Sequence, residues 1–108
     1  MAPPSRRLLV RFTSAASGDL DVAFAFVSQR NRSAALDLLA RLEDAASRLS
    51  AYPEMGALLS TDEFEFAAPG IRFVAAEPYL IFYGATHDAV VILRILHARQ
   101  DSRGALFE

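Results

Sequence analysis

The sequence predicts an α+β protein: an N-terminal strand, an antiparallel helical hairpin, then a three-stranded antiparallel meander with the helices on one face of the sheet. Three observations predict it. Apolar residues recur at helical spacing through two consecutive segments before Tyr52, and they recur with period two or as unbroken runs in three segments after Gly70. The links between those last three segments are only a few residues long, which suits hairpin neighbours. The chain of 108 residues is expected to form one domain over 1–108, and its hydrophobic share of 53% is that of a folded globular protein.

The elements follow in order. "RRLLVRF" sets Leu8, Val10 and Phe12 against Leu9 and Arg11, the alternation of a first strand. Arg11 interrupts the apolar run too early for a secretory leader or a membrane span, so a cytoplasmic address and no membrane partner are expected. "TSAASGDL" supplies a helix start, with Leu20, Ala23, Phe24 and Val27 forming a stripe that Val22 and Phe26 widen. Asp19 and Asp21 are expected early in this helix, where its dipole favours negative charge, and its end is expected near Gln29. "RNRS" makes the turn, with Ser33 expected to cap the second helix. That helix places Ala35, Leu38, Leu39, Leu42, Ala45, Ala46 and Leu49 on one face. On the other face Asp37 precedes Arg41, and Asp44 precedes Arg48, at i,i+4 spacing. Tyr52-Pro53 stops it, and Gly56 offers a turn. "LLSTDEFEFAAPG" has no clean period and reads as a loop, or a loop with a short strand around Phe64. Three strands follow: "IRFVA", a turn at Glu77-Pro78, "YLIFY", a turn through "GATHD", and "AVVILRILH".

Strict alternation sorts the last strand into Val91, Leu93, Ile95 and His97 on one face, and Val90, Ile92, Arg94 and Leu96 on the other. "YLIFY" divides into Tyr79, Ile81 and Tyr83 against Leu80 and Phe82. Strands apolar on both sides require cover on both sides, and one helical hairpin covers one. The second face, carrying Arg94 and Arg72, is therefore expected to be open, partly apolar and a binding surface. The alternative is that the acidic loop or the C-terminal "GALFE" folds over it.

Composition narrows the chemistry. There is no cysteine, so disulfides and thiolate metal sites are excluded. The net charge of −2 argues against direct nucleic-acid binding, which demands a basic footprint. All eleven basic residues are arginine, most of them expected as ordinary surface residues. His87 and His97 have no second ligand at metal spacing, so no metal is expected. Glycine-rich phosphate loops, paired catalytic carboxylates and nucleophile triads are absent, and no cofactor is expected.

Two stretches carry a family resemblance. "AALDLLARLEDAASRLSAYPEMG" is similar to the second helix of the RelE/ParE toxin superfamily with its Pro-Glu-hydrophobic-Gly stop. "IRFVAAEPYLIFYGATHDAVVILRILHARQD" is similar to that family's arginine after the loop, "YLIFY" strand, acidic hairpin turn and closing "ILR-hydrophobic-LH-x-x-R-D". Together they span about the last three quarters of the chain, and the resemblance is to the ParE branch of type II toxin–antitoxin systems. It implies a toxin neutralised by a small ParD-like antitoxin wrapped over the open sheet face, with DNA gyrase as the target. The RelE branch instead implies a ribosome-dependent mRNA endonuclease, and a third reading is an inactive toxin-like binding module.

A metal-free RNase needs an acid, a base and cations for the developing phosphate charge. The candidates are Arg72, Arg94, His97 and Arg99, with Glu54 or Glu77 as a possible base. Against them, alternation points Arg94 and His97 to opposite faces, the chain is net acidic, and Gln100 and Asp101 stand where several RNase members place a tyrosine or further basic residues. The expectation is thus no catalytic residue, with His97 packed near the hairpin or bonded to Asp101, and with Arg72, Arg94, Tyr79, Leu80, Phe82, Val90 and Ile92 contacting the antitoxin.

Overall fold

The computed structural model describes residues 7–59 and 70–98. The elements are β1 (Leu9–Phe12), α1 (Ser14–Ser28), α2 (Arg32–Ala51), β2 (Ala57–Leu58), β3 (Arg72–Ala76), β4 (Tyr79–Ala85) and β5 (Ala89–His97). They form the expected helical hairpin and meander, and the sheet runs β1-β5-β4-β3-β2. The first strand lies beside the last and parallel to it, with Val10 opposite Val90 and Phe12 opposite Ile92. The remaining pairs are antiparallel. Periodicity does not report such long-range pairing, because a strand's alternation is the same beside any neighbour.

Local chemistry fixes where the two helices start. The Thr13 hydroxyl accepts the Ala16 amide at 3.0 Å and caps α1. Asp19 therefore lies in the second turn, not the first, and has a different task. Asn31 rather than Ser33 caps α2, its side-chain oxygen accepting the Ala34 amide at 3.0 Å. Tyr52 ends α2 as expected. On the outer face Asp44 and Arg48 pair at 3.1 Å, whereas Arg41 donates to the Glu77 carbonyl in the β3–β4 turn and forms no ion pair with Asp37.

The hairpin covers one face of the sheet. Leu38, Leu42, Ala45, Ala46 and Leu49 of α2, with Ala16 and Ala23 of α1, pack against Tyr79, Ile81 and Tyr83 of β4 and Val90, Ile92 and Ile95 of β5. That last trio corrects the alternation. A β-bulge shifts the register so that Phe82 faces Arg94 while Tyr83 faces Ile92, leaving Leu93 as an extra residue. Val90 and Ile92 before the bulge and Ile95 after it thus reach the same helix-covered face. Val22 and Phe26, expected to widen the core stripe, are instead exposed, at 71% and 55%.

The helix-free face carries Phe73 and Phe82, whose ring centroids are 5.9 Å apart, and the cross-strand pair Leu80 and Leu96. Phe82 and Leu96 are nonetheless buried, at 2% and 3% exposure, so the centre of this face is not the open surface that one hairpin's worth of cover predicts. The segments considered as an internal cover, 60–69 and "GALFE", the strand considered around Phe64, and Arg99 with Asp101 all lie outside the described residues. Among the described residues no helix is long and apolar enough to cross a membrane.

Candidate functional site: the polar ties around the sheet

β1 stops at Phe12, so beyond Ile92 the strand β5 has no neighbour on that side and its edge must be satisfied otherwise. The first two turns of α1 do this. The Thr13 amide donates to the Ile92 carbonyl at 3.0 Å and its hydroxyl to the Leu93 carbonyl at 2.9 Å. One turn on, the Asp19 carboxylate accepts the Ile95 amide at 2.9 Å. The same carboxylate takes Arg94 bidentately, Nε at 2.8 Å and Nη2 at 2.9 Å, with both side chains mostly buried. From its place opposite Phe82 after the bulge, Arg94 reaches the α1 carboxylate across this open edge of β5. Such a two-point, charge-assisted contact is among the stronger protein hydrogen-bond geometries. Beside it lies a cavity of about 290 Å³ lined by Val22, Phe26, Tyr79, Arg94, Ile95 and His97. The His97 ring meets Tyr79 edge-on, centroids 5.3 Å apart.

A second set of polar groups gathers where α2 leaves the sheet. Tyr83 is fully buried; its phenol donates to the Pro53 carbonyl at 2.7 Å and accepts the Gly56 amide at 2.9 Å. Burial pushes the Tyr83 phenol above its ordinary pKa of 10.0, and the Gly56 amide and nearby Arg72 offset part of that rise. Burial likewise raises Tyr79. Arg72, opposite Tyr83 in the β3–β4 register, donates through Nη1 to the carbonyls of Gly56 at 2.7 Å and Glu54 at 3.2 Å.

These positions separate the residues that sequence spacing grouped. Arg72 lies on β3 and reaches the loop after α2; Arg94 lies on β5 and reaches α1; β4 runs between them. Both guanidiniums are bonded to the helical layer or to the loop that leaves it, so neither stands free on an open face as expected. His97 contacts Tyr79 and lines the same cavity as Arg94, whereas Arg72 lies across β4, Glu54 is exposed after α2 and Glu77 lies in the β3–β4 turn, so only Arg94 and His97 of the described RNase candidates come together. The residues expected to meet an antitoxin divide as well. Leu80 and Phe82 share the helix-free face, whereas Tyr79, Val90 and Ile92 are buried beneath the helices. His87 is exposed in the β4–β5 turn, and among the described residues no group of three His, Asp or Glu side chains is placed to hold a metal ion.

Sequence spacing missed Thr13, Asp19 and Tyr83 as organisers. A signal for Asp19 was present: an arginine in an otherwise apolar last strand needs a carboxylate, and Asp19 flanks the buried positions Ala16 and Ala23 at i+3 and i−4.

The same fold is found in toxin–antitoxin assemblies. The chromosomal ParDE TA system from P. aeruginosa superposes with a TM-score of 0.67 at 21% identity, covering 86% of this chain and 98% of that one. The toxin-antitoxin complex RelBE2 from Mycobacterium tuberculosis gives a TM-score of 0.62 at 24% identity, covering 89% and 97%. The class is therefore the RelE/ParE-like toxin fold. Sequence narrows it further: the family described as "ParE toxin of type II toxin-antitoxin system, parDE" matches residues 10–102. The chain is also 37% identical over 90 residues to Toxin ParE3 of Caulobacter vibrioides, covering 82% of this chain and 85% of that protein. The chain belongs to the ParE toxin family, the toxin component of a type II toxin–antitoxin system.

Proposed function

We propose that this toxin is held inactive in the cytoplasm by a small, co-produced ParD-like antitoxin, and that when free it acts on DNA gyrase by binding, without bond-making chemistry of its own. The observation that carries the reading is the disposition of its arginines. Arg72 and Arg94 are bonded to separate elements on either side of β4, so the two cations do not meet at one phosphate. The two-part system in the family's description and the toxin–antitoxin complexes among its structural relatives support the antitoxin partner. Of the residues expected to meet the antitoxin, Leu80 remains as a contact on the helix-free face; Phe82 is buried, and Arg72 and Arg94 would first have to leave their present partners.

Brief induction of the toxin, followed in parallel by plasmid supercoiling, gyrase-trapped DNA breaks and transcript integrity, tests this. Trapped breaks with intact transcripts are the expected result; rapid transcript cleavage at ribosomes would overturn it in favour of a RelE-type endonuclease. His97→Ala is expected to leave toxicity nearly unchanged, and loss of toxicity in a folded variant would argue for catalysis.

A further inference from the structure

Of the described RNase candidates only Arg94 and His97 line one cavity, and the arginine already holds an anion. Two consecutive residues of β5 supply that anion with three N–H donors. Arg94 donates through Nε at 2.8 Å and Nη2 at 2.9 Å to the two oxygens of the Asp19 carboxylate, and the Ile95 amide donates to one of them at 2.9 Å. Strand pairing sets the backbone of both donors, with Arg94 opposite Phe82 and Ile95 opposite Ile81. The donor set thus belongs to the sheet, whereas its occupant is a side chain of α1.

A guanidinium fork binds phosphate as it binds a carboxylate, because either anion offers it two oxygens side by side. A backbone N–H directed at the same point adds a third donor of the charge-assisted kind. Room for the larger ion is present: the cavity of about 290 Å³ is lined by Asp19, Arg94 and His97, and the Arg94 side chain keeps 22% of its surface in contact with solvent. What excludes phosphate from the wild-type chain is the carboxylate itself. It engages all three donors and sets a like charge against any incoming anion. We infer that Arg94 and the Ile95 amide form a phosphate-binding site that Asp19 closes from within. This closure is a property of the α1–β5 contact alone and does not depend on gyrase being the target.

NMR of the folded toxin titrated with inorganic phosphate at constant ionic strength tests the site, with the Ile95 amide and the Arg94 Nε–H as reporters. Asp19→Ala and Asp19→Ser are both titrated, so that the test survives if the alanine variant folds poorly. The expected result is saturable shifts at both reporters in the Asp19 variants, with an affinity at least about tenfold above that of the wild type. The double variant Asp19→Ala, Arg94→Gln removes both charges of the pair together and keeps the fold, and its Ile95 amide is expected not to respond. A matching response to dimethyl phosphate extends the ligand class to phosphodiesters, and its absence confines it to free phosphate; either supports the site. An equal response in the wild type, no response in the folded Asp19 variants, or a response that survives Arg94→Gln would overturn the proposal.

Discussion

The helical layer is tied to the sheet in two places by different chemistry. At the start of α1, the tie is ionic: Asp19 joins Arg94 and the Ile95 amide across the bulge of β5. At the exit of α2, the tie is made of a phenol, a guanidinium and backbone groups: Tyr83 and Arg72 meet the amide of Gly56 and the carbonyls of Pro53, Glu54 and Gly56. The first places a charged pair where about a fifth of the arginine and less of the aspartate still touches solvent, at 22% and 14%. The second depends on close approach, with a fully buried ring against the chain. The difference teaches that the α2 exit is limited by space and the α1 start by charge, and each can be broken selectively.

Space gives the largest effect. A β-carbon added at Gly56 would stand 2.6 Å from the Tyr83 hydroxyl, 2.7 Å from the Phe73 carbonyl and 2.8 Å from the Tyr83 ring. Backbone and a buried ring cannot retreat as a surface side chain can, so Gly56→Ala is expected to cost about 3 kcal/mol in urea unfolding, the upper part of the overpacking range. A loss below about 0.5 kcal/mol, the scale of a neutral surface change, would show that the loop after α2 shifts freely and that the tie does not fix it.

Charge comes next. Asp19→Ala removes the bidentate carboxylate of Arg94 and the acceptor of the Ile95 amide together, and removing one partner of a buried pair costs several kcal/mol. Partial solvent access lowers the expectation here to about 2 kcal/mol. Asp19→Asn keeps an acceptor for one of the two donors and is expected to lose roughly half as much. An Asp19→Ala loss no larger than that of a surface pair would remove the distinction between the two ties.

Much of this architecture was legible in the sequence, and the failures have physical causes. The stripe from Ala35 to Leu49 and the strands "IRFVA" and "YLIFY" are local patterns, and they formed as read. The faces of β5 were misread because period two assumes an unbroken ladder. One bulged residue, Leu93, put Val90 and Ile92 on the helix side while Arg94 and Leu96 stand opposite Phe82 and Leu80. The same local reading put Asp19 in a helix dipole, because nothing near it in sequence announces an arginine 75 positions away. The α2 cap was misplaced by two residues because Asn31, not Ser33, accepts the Ala34 amide before the first apolar residue of the stripe.

Titration sharpens the comparison at the α2 exit. Tyr83→Phe removes both hydrogen bonds of the phenol, leaving the buried Gly56 amide without that partner, and is expected to cost about 1–2 kcal/mol at neutral pH. Because burial raises this phenol's pKa in the folded state, the folded chain holds the proton longer than the unfolded chain does. Its contribution is thus fully present below the unfolded value of 10.0 and is lost as pH rises through the higher folded value. The wild type is expected to lose stability above about pH 10, and Tyr83→Phe to lose it less steeply, with Tyr79 sustaining the remaining slope. Identical alkaline slopes would mean that Tyr83 titrates alike in both states.

The smallest effect calibrates the ionic tie. Asp44 and Arg48 form an ion pair at 3.1 Å, about as short as the Asp19–Arg94 contact, but their side chains are 61% to 68% exposed. Water already solvates both charges well, and holding two long side chains together costs entropy, so Asp44→Asn is expected to change stability by less than about 0.5 kcal/mol. Distance is nearly constant between the two pairs, whereas burial and the extra Ile95 amide are not. Measuring both substitutions at low and high salt therefore isolates what burial adds. The Asp44→Asn change should vanish in salt, and most of the Asp19→Ala loss should persist, because its cost is the lost short-range hydrogen bonds and not long-range attraction.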